Sequence, residues 1–150
     1  MVRPIYFWVA KLPDTQIEAK IYLLGNPAIY WLSFVSVILL CLCLIFRVSF
    51  VRRRPKLWLG LLGAYFANWL PFIFITRQMF LYHYFAALVF SVIILSALVD
   101  EISRPRWRLV SYIILGLIFF VLFIYFSPFT YGLPLSPSVE KFLFWFPTWR

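Results

Sequence analysis

The side chains in this chain that could bind an anion or move a proton are few, and one short stretch gathers the most telling of them. Arg77 stands in a three-residue turn, 76–78, between two uncharged stretches, and the second of these carries Tyr82, His83 and Tyr84 near its start. A guanidinium offers a planar fork of donors that matches a phosphate bidentately. The imidazole of His83 and the phenol of Tyr84 can complete a pocket for a lipid phosphate, with Asn68 and Tyr82 as supporting polar groups. Asn68 lies in an otherwise apolar stretch, where an amide needs a partner, ordinarily on a neighbouring helix. The same residues fit a second arrangement equally well. In it Arg77 lays its stem along apolar surface to reach water, and the Tyr-His-Tyr trio forms an aromatic belt at the membrane interface.

The remaining inventory is poor in chemistry. Cys41 and Cys43 are the only cysteines; side chains two apart on a helix point away from each other, so they are poorly placed for a mutual disulfide. With no second cysteine pair and no histidine nearby there is no zinc pattern. Asp14, Glu18 and Glu140 have no partner at a diagnostic spacing, and the chain has neither a Gly-rich phosphate loop nor a Ser-His-Asp order. Acid–base catalysis needs a carboxylate, histidine or nucleophile held at a protected site. No catalytic residue, metal ligand or cofactor is therefore assigned.

The elements that must position Arg77 and its neighbours are set by composition. Of the 150 residues 65% are hydrophobic, 23% aromatic and only 13% charged, where soluble domains run near half apolar and about a quarter charged. The apolar surplus sits in four blocks, 28–46, 57–75, 79–99 and 109–126, none containing Asp, Glu, Lys or Arg. Crossing a hydrocarbon core about 30 Å thick takes roughly 20 helical residues. Backbone groups in lipid must bond internally, and no block alternates with period two as a barrel strand does. The fold class is an all-α membrane protein: one four-transmembrane-helix bundle, residues 1–150, with interfacial N- and C-terminal segments. The short turn at 76–78 makes the second and third helices a hairpin.

A net charge of +9 invites a nucleic-acid reading, which the positions of the charges exclude. Arg47, Arg52, Arg53, Arg54 and Lys56 lie in the first connection; Arg104, Arg106 and Arg108 lie in the third, beside Asp100 and Glu101. By the positive-inside rule, loops 47–56 and 100–108 face the cytosol, and both termini and Arg77 face the lumen or exterior. The arginine cluster at 52–54 reads as a topology anchor meeting anionic lipid. The first 27 residues carry no signal-peptide pattern, since the apolar run 5–10 is too short and Pro13 and Asp14 interrupt it. They are expected to lie along the membrane surface and to turn at Gly25, Asn26 and Pro27 into the first helix, with Tyr30 and Trp31 at headgroup depth.

The fourth helix is expected to end at Ser127 and Pro128. Ser136 and Pro137 then open a short C-terminal helix that presses Phe142, Leu143, Trp145 and Phe146 on the interface and keeps Glu140 and Lys141 wet. Gly60, Gly63 and Ala67 suggest a close-packing face on the second helix.

In order along the chain, Ile21, Tyr22, Leu23, Leu24, Gly25, Asn26 and Pro27, then Trp31, then Asn68, Trp69, Leu70, Pro71 and Phe72, then Arg77, Phe80, Tyr82, His83 and Tyr84, and the run 127–132 resemble the C-terminal four-helix region of the protein O-mannosyltransferases. That family transfers mannose from dolichyl phosphate mannose to serine or threonine hydroxyls of proteins in the endoplasmic reticulum. The resemblance implies a multi-pass membrane protein of that compartment, a dolichyl-linked sugar donor rather than a cofactor, acceptor proteins as partners, and pairing with itself or another mannosyltransferase chain. The family's lumenal C-terminus agrees with the orientation drawn from charge. One departure is visible: where the family has a proline shortly after its His-Tyr pair, this chain has Ala86 and Ala87.

A larger departure concerns catalysis. The family's acidic pair lies in a lumenal loop of an N-terminal membrane half that is not on this chain, so an acid able to deprotonate the acceptor must come from elsewhere. Residues 1–4 begin abruptly where the family continues from upstream. The chain is therefore expected to be the donor-cradling C-terminal portion of a longer glycosyltransferase. The alternative is a free-standing, non-catalytic assembly or chaperone protein derived from that family.

Overall fold

A computed structural model describes residues 5–11, 18–75 and 81–146. Asn26 starts helix α1 (Pro27–Ile45): its side-chain oxygen accepts from the Ala28 N–H at 3.1 Å, and Pro27 occupies the first turn, where a missing N–H costs nothing. A left-handed residue, Arg47 at φ 50°, reverses the chain into a short helix, α2 (Ser49–Arg53). Helix α3 (Pro55–Trp69) follows and hands over to a 3-10 turn, Leu70–Phe74. Pro71 accounts for the change, because it has no N–H for the i−4 carbonyl. On the other side of the hairpin a second 3-10 turn, Leu81–Tyr84, leads into α4 (Phe85–Asp100). The last long helix is α5 (Pro105–Tyr131).

Four segments, Pro27–Ile45, Pro55–Phe74, Tyr82–Asp100 and Pro105–Tyr131, are long and apolar enough to cross a membrane, as the apolar blocks predict. Helix α4 is central, with α1 and α3 packed on it. The bundle core is Val37 and Leu40 of α1, Val51 of α2, Trp58 and Tyr65 of α3, and Ala87 and Ile94 of α4. Small residues close the α1–α4 seam: Ser33, Ser36 and Ser91 are fully buried, and Ser36 Oγ lies 3.1 Å from the Ser91 carbonyl. The glycines of α3 do not play that part. Gly60 and Gly63 are exposed, and a Cβ added to either meets nothing within 4 Å. Helical periodicity explains the correction, because the inward face of α3 is set by Trp58, Tyr65 and Trp69, which turns the glycine stripe outward.

Helix α5 runs past the bundle. Tyr112 donates to the Ser96 carbonyl at 3.0 Å near one end, and Asn26 Nδ2 donates to the Phe119 carbonyl at 2.8 Å. From Phe119 to Tyr131 the helix therefore projects about 18 Å beyond the start of α1. It does not end at Ser127 and Pro128 as expected. The Ile124 carbonyl that Pro128 cannot bond accepts instead from Ser127 Oγ at 2.7 Å, and the helix continues to Gly132, a left-handed C-terminal cap at φ 63°.

The projecting end carries the terminal segments. Strands β1 (Ile5–Lys11), β2 (Glu18–Leu23) and β3 (Pro134–Leu135) form an antiparallel sheet in that order, and β2 packs on α5. Within the N-terminal segment, residues 5–11 and 18–23 thus pair as antiparallel strands. Their β-branched and aromatic residues favour strands once a surface is present to pack on. Helix α6 (Pro137–Leu143) begins where Ser136 and Pro137 predict. Two expectations for its flank are corrected. Leu143 is buried with Leu24, Phe126, Phe129 and Phe144, and Glu140, only partly exposed, pairs with Lys20 at 2.7 Å.

Candidate functional site

The α3–α4 hairpin end is built from aromatic rings. The 3-10 turn Leu81–Tyr84 sends the Tyr84 side chain away from those of Tyr82 and His83, whose rings stack on each other. Tyr84 points inward: its hydroxyl lies 3.1 Å from that of Tyr65 on α3, and its ring sits 6.1 Å from Tyr30 at the start of α1. Tyr65 is 2% exposed and stacks on Trp69 at 6.4 Å. His83 points across the hairpin, its ring edge-on to Phe72 at 5.6 Å and stacked on Tyr82 at 4.1 Å. Tyr82 is exposed.

Of the sequence-predicted residues, the structure therefore brings Tyr82 and His83 into one stack and gives Tyr84 the separate task of fastening the turn to α1 and α3. Asn68 acts within its own helix, Nδ2 donating to the Ala64 carbonyl at 2.9 Å, and not across to a neighbour as expected. One turn of helix already supplies an acceptor, so the amide needs no second helix. Arg77 lies outside the described residues, and so does the proposed turn at 76–78. Sequence reading missed Tyr65 and Tyr30. Tyr65 carried the same signal as Asn68, a polar atom in the middle of an apolar block that must find a partner.

Chemically this end offers phenol hydroxyls and the His83 imidazole. Among the acids whose side chains are described, Asp100 and Glu101 lie at the far end of α4, about 24 Å from Tyr84 over sixteen residues. Glu140 is held by Lys20. Among the described residues no cluster of three His, Cys, Asp or Glu side chains could hold a metal, and Cys41 and Cys43 are free thiols.

Comparison with known proteins now bears on the arrangement. Residues 1–149 match the model of the family described as the C-terminal four TMM region of protein-O-mannosyltransferase. The chain belongs to the protein O-mannosyltransferase family. This mannosyltransferase region is 31% identical over 153 residues to dolichyl-phosphate-mannose–protein mannosyltransferase 3 of Saccharomyces cerevisiae, covering 87% of the chain and 20% of the relative. It is 34% identical over 142 residues to the polyprenol-phosphate-mannose–protein mannosyltransferase of Corynebacterium glutamicum, covering 87% of the chain and 26% of that protein. It is also 30% identical over 164 residues to protein O-mannosyl-transferase 2 of Danio rerio, covering 89% of the chain and 22% of the relative. The chain thus spans about a fifth to a quarter of the length of these relatives. No solved structure matches it.

Proposed function

We propose that this multi-pass chain forms the donor-side part of a protein O-mannosyltransferase of the endoplasmic reticulum membrane. In this reading it cradles the phosphate of a polyisoprenyl phosphate mannose, dolichyl phosphate mannose in the first instance, while a serine or threonine of an acceptor protein is mannosylated. The observation that carries the reading is the fastening of the Leu81–Tyr84 turn. Tyr84 is tied to Tyr65 at 3.1 Å and His83 is braced against Phe72 at 5.6 Å, which holds the imidazole in place six residues after Arg77 in the sequence. An imidazole and a guanidinium are together suited to a phosphate monoanion, and binding gains from donors held in place before the ligand arrives. The named donors of the Saccharomyces and Corynebacterium relatives share a phosphate-linked mannose on a polyisoprenol, which is the part such a turn would meet. The acid that deprotonates the acceptor is supplied from outside the described residues.

The test is photo-crosslinking of a radiolabelled dolichyl phosphate mannose analogue to the protein in its native membranes. Arg77→Gln and His83→Ala are each expected to lower labelling about tenfold, the loss of one charge-assisted contact. Unchanged labelling in both would assign Arg77 to membrane anchoring and refute the pocket. Cysteines introduced singly at Ser103 and Leu133 report topology: an impermeant thiol reagent should reach position 133 from the lumen and position 103 from the cytosol.

A further inference from the structure

The function proposed above uses one end of the bundle. At the other end, where the two arginine-rich connections meet, α2 and the facing ends of α4 and α5 enclose an open cleft of about 430 Å³. It is lined by Phe50, Arg53, Arg54, Asp100, Glu101 and Arg108. Three guanidiniums and two carboxylates share this wall, yet among the described residues no ion pair joins any of the five. Asp100 is turned to α5, where Oδ1 accepts from the Tyr112 hydroxyl at 3.0 Å and the main-chain carbonyl accepts from Arg108 Nη1 at 3.2 Å. Arg52 is turned back on its own connection, Nε donating to the Arg47 carbonyl at 2.9 Å. The forks of Arg53 and Arg54 have no such engagement within the described residues.

We propose that this cleft binds the headgroup of an inositol phospholipid from the leaflet it faces. The phosphate lies against the Arg53 and Arg54 forks and the remaining donors of Arg108, a geometry that planar guanidiniums satisfy and ammonium groups do not. The ring hydroxyls donate to Glu101 and to the second oxygen of Asp100, acceptors that a bare phosphate would leave unpaired and repelled. A cleft of 430 Å³ admits a six-membered polyol with its phosphate. The surrounding Arg47, Arg52, Lys56, Arg104 and Arg106 raise the local concentration of anionic lipid without choosing among headgroups. A plain topology anchor requires positive charge alone; a cleft that sets open arginine forks beside carboxylates selects.

The test uses the purified full chain in phosphatidylcholine nanodiscs containing a few mole per cent of phosphatidylinositol or, at equal charge, phosphatidylserine, with retained lipid counted by native mass spectrometry. Phosphatidylinositol is expected to be retained about tenfold over phosphatidylserine. The combined variant Arg53→Lys, Arg54→Lys, Arg108→Lys keeps every charge, and with it the topology anchor, but should lose that preference; Arg52→Lys with Arg106→Lys should keep it. Glu101→Gln, a milder change, should narrow the preference. Equal retention of the two lipids by the unaltered chain, or a preference that survives the triple lysine variant, would overturn the proposal. Soluble glycerophosphoinositol should compete only weakly. Competition as strong as that of the lipid itself would make the ligand a soluble one and remove the lipid assignment.

Discussion

Removing the Tyr84 hydroxyl tests whether the hairpin turn is fastened to the bundle through Tyr65. Tyr65 is 2% exposed and its hydroxyl lies 3.1 Å from that of Tyr84. In Tyr84→Phe the Tyr65 hydroxyl remains buried and loses this partner, a situation that costs about 1–3 kcal/mol in general. Polar contacts between membrane helices fall lower, averaging about 0.6 and reaching about 1.7 kcal/mol, so about 1–1.5 kcal/mol is expected here. The reverse change, Tyr65→Phe, orphans a hydroxyl on the partly exposed Tyr84, which can reach water or headgroups, and should cost about half as much. With both hydroxyls gone no orphan is left, so the double variant should cost no more than Tyr84→Phe alone. The implied coupling is about 0.5–1 kcal/mol. Steric trapping in bicelles yields the unfolding free energies needed for the full cycle. Strict additivity of the two single changes would show that the hydroxyls do not share a bond, and the case for a fixed His83 would fall with it.

Other consequences are sharp enough to check. Ala87 is fully buried at the α1–α4 seam, so Ala87→Leu should cost about 1–3 kcal/mol in the same unfolding assay through overpacking. Gly60→Leu, on the open face of α3, should cost nothing and could stabilise by up to about 1 kcal/mol through helix propensity. Gly132→Ala puts a Cβ 2.8 Å from Ile21 Cγ1 on a residue at φ 63°, and should lower thermal stability by about 1–2 kcal/mol and loosen β2 from α5, seen as faster amide exchange in Glu18–Leu23. Asn26→Ala removes both the cap on Ala28 and the bond to the Phe119 carbonyl, and should cost about 1–3 kcal/mol, more than the loss of an ordinary cap.

The membrane helices were legible because their cause is local. An apolar block of helical length has one solution in lipid, and the prolines at 27, 55 and 105 sit in first turns where the sequence itself marks an entry. Legibility failed where a distant surface decides. Residues 18–23 became a strand against α5 and residues 5–11 a strand paired to it, and the projection of α5 past the bundle passes through Pro128, where Ser127 Oγ takes up the carbonyl that Pro128 cannot bond. The turn residues divide in the same way. Sequence singled out Tyr82, His83 and Tyr84 as one group, but a 3-10 turn splits them, and only Tyr65, nineteen residues earlier, reveals that Tyr84 is a fastener.

By itself the sequence determined the solvent, the four spans and the family. Each follows from composition and order along the chain, and none requires knowing which residues touch. Tertiary structure alone decided that serines rather than glycines close the central seam, that Asn68 serves its own helix, and that the arginines at 53, 54 and 108 meet around one cleft. The physical reason is common to all three. In lipid, apolar burial scarcely distinguishes one helix face from another, so the pairing of faces rests on close packing and single hydrogen bonds between residues far apart in sequence.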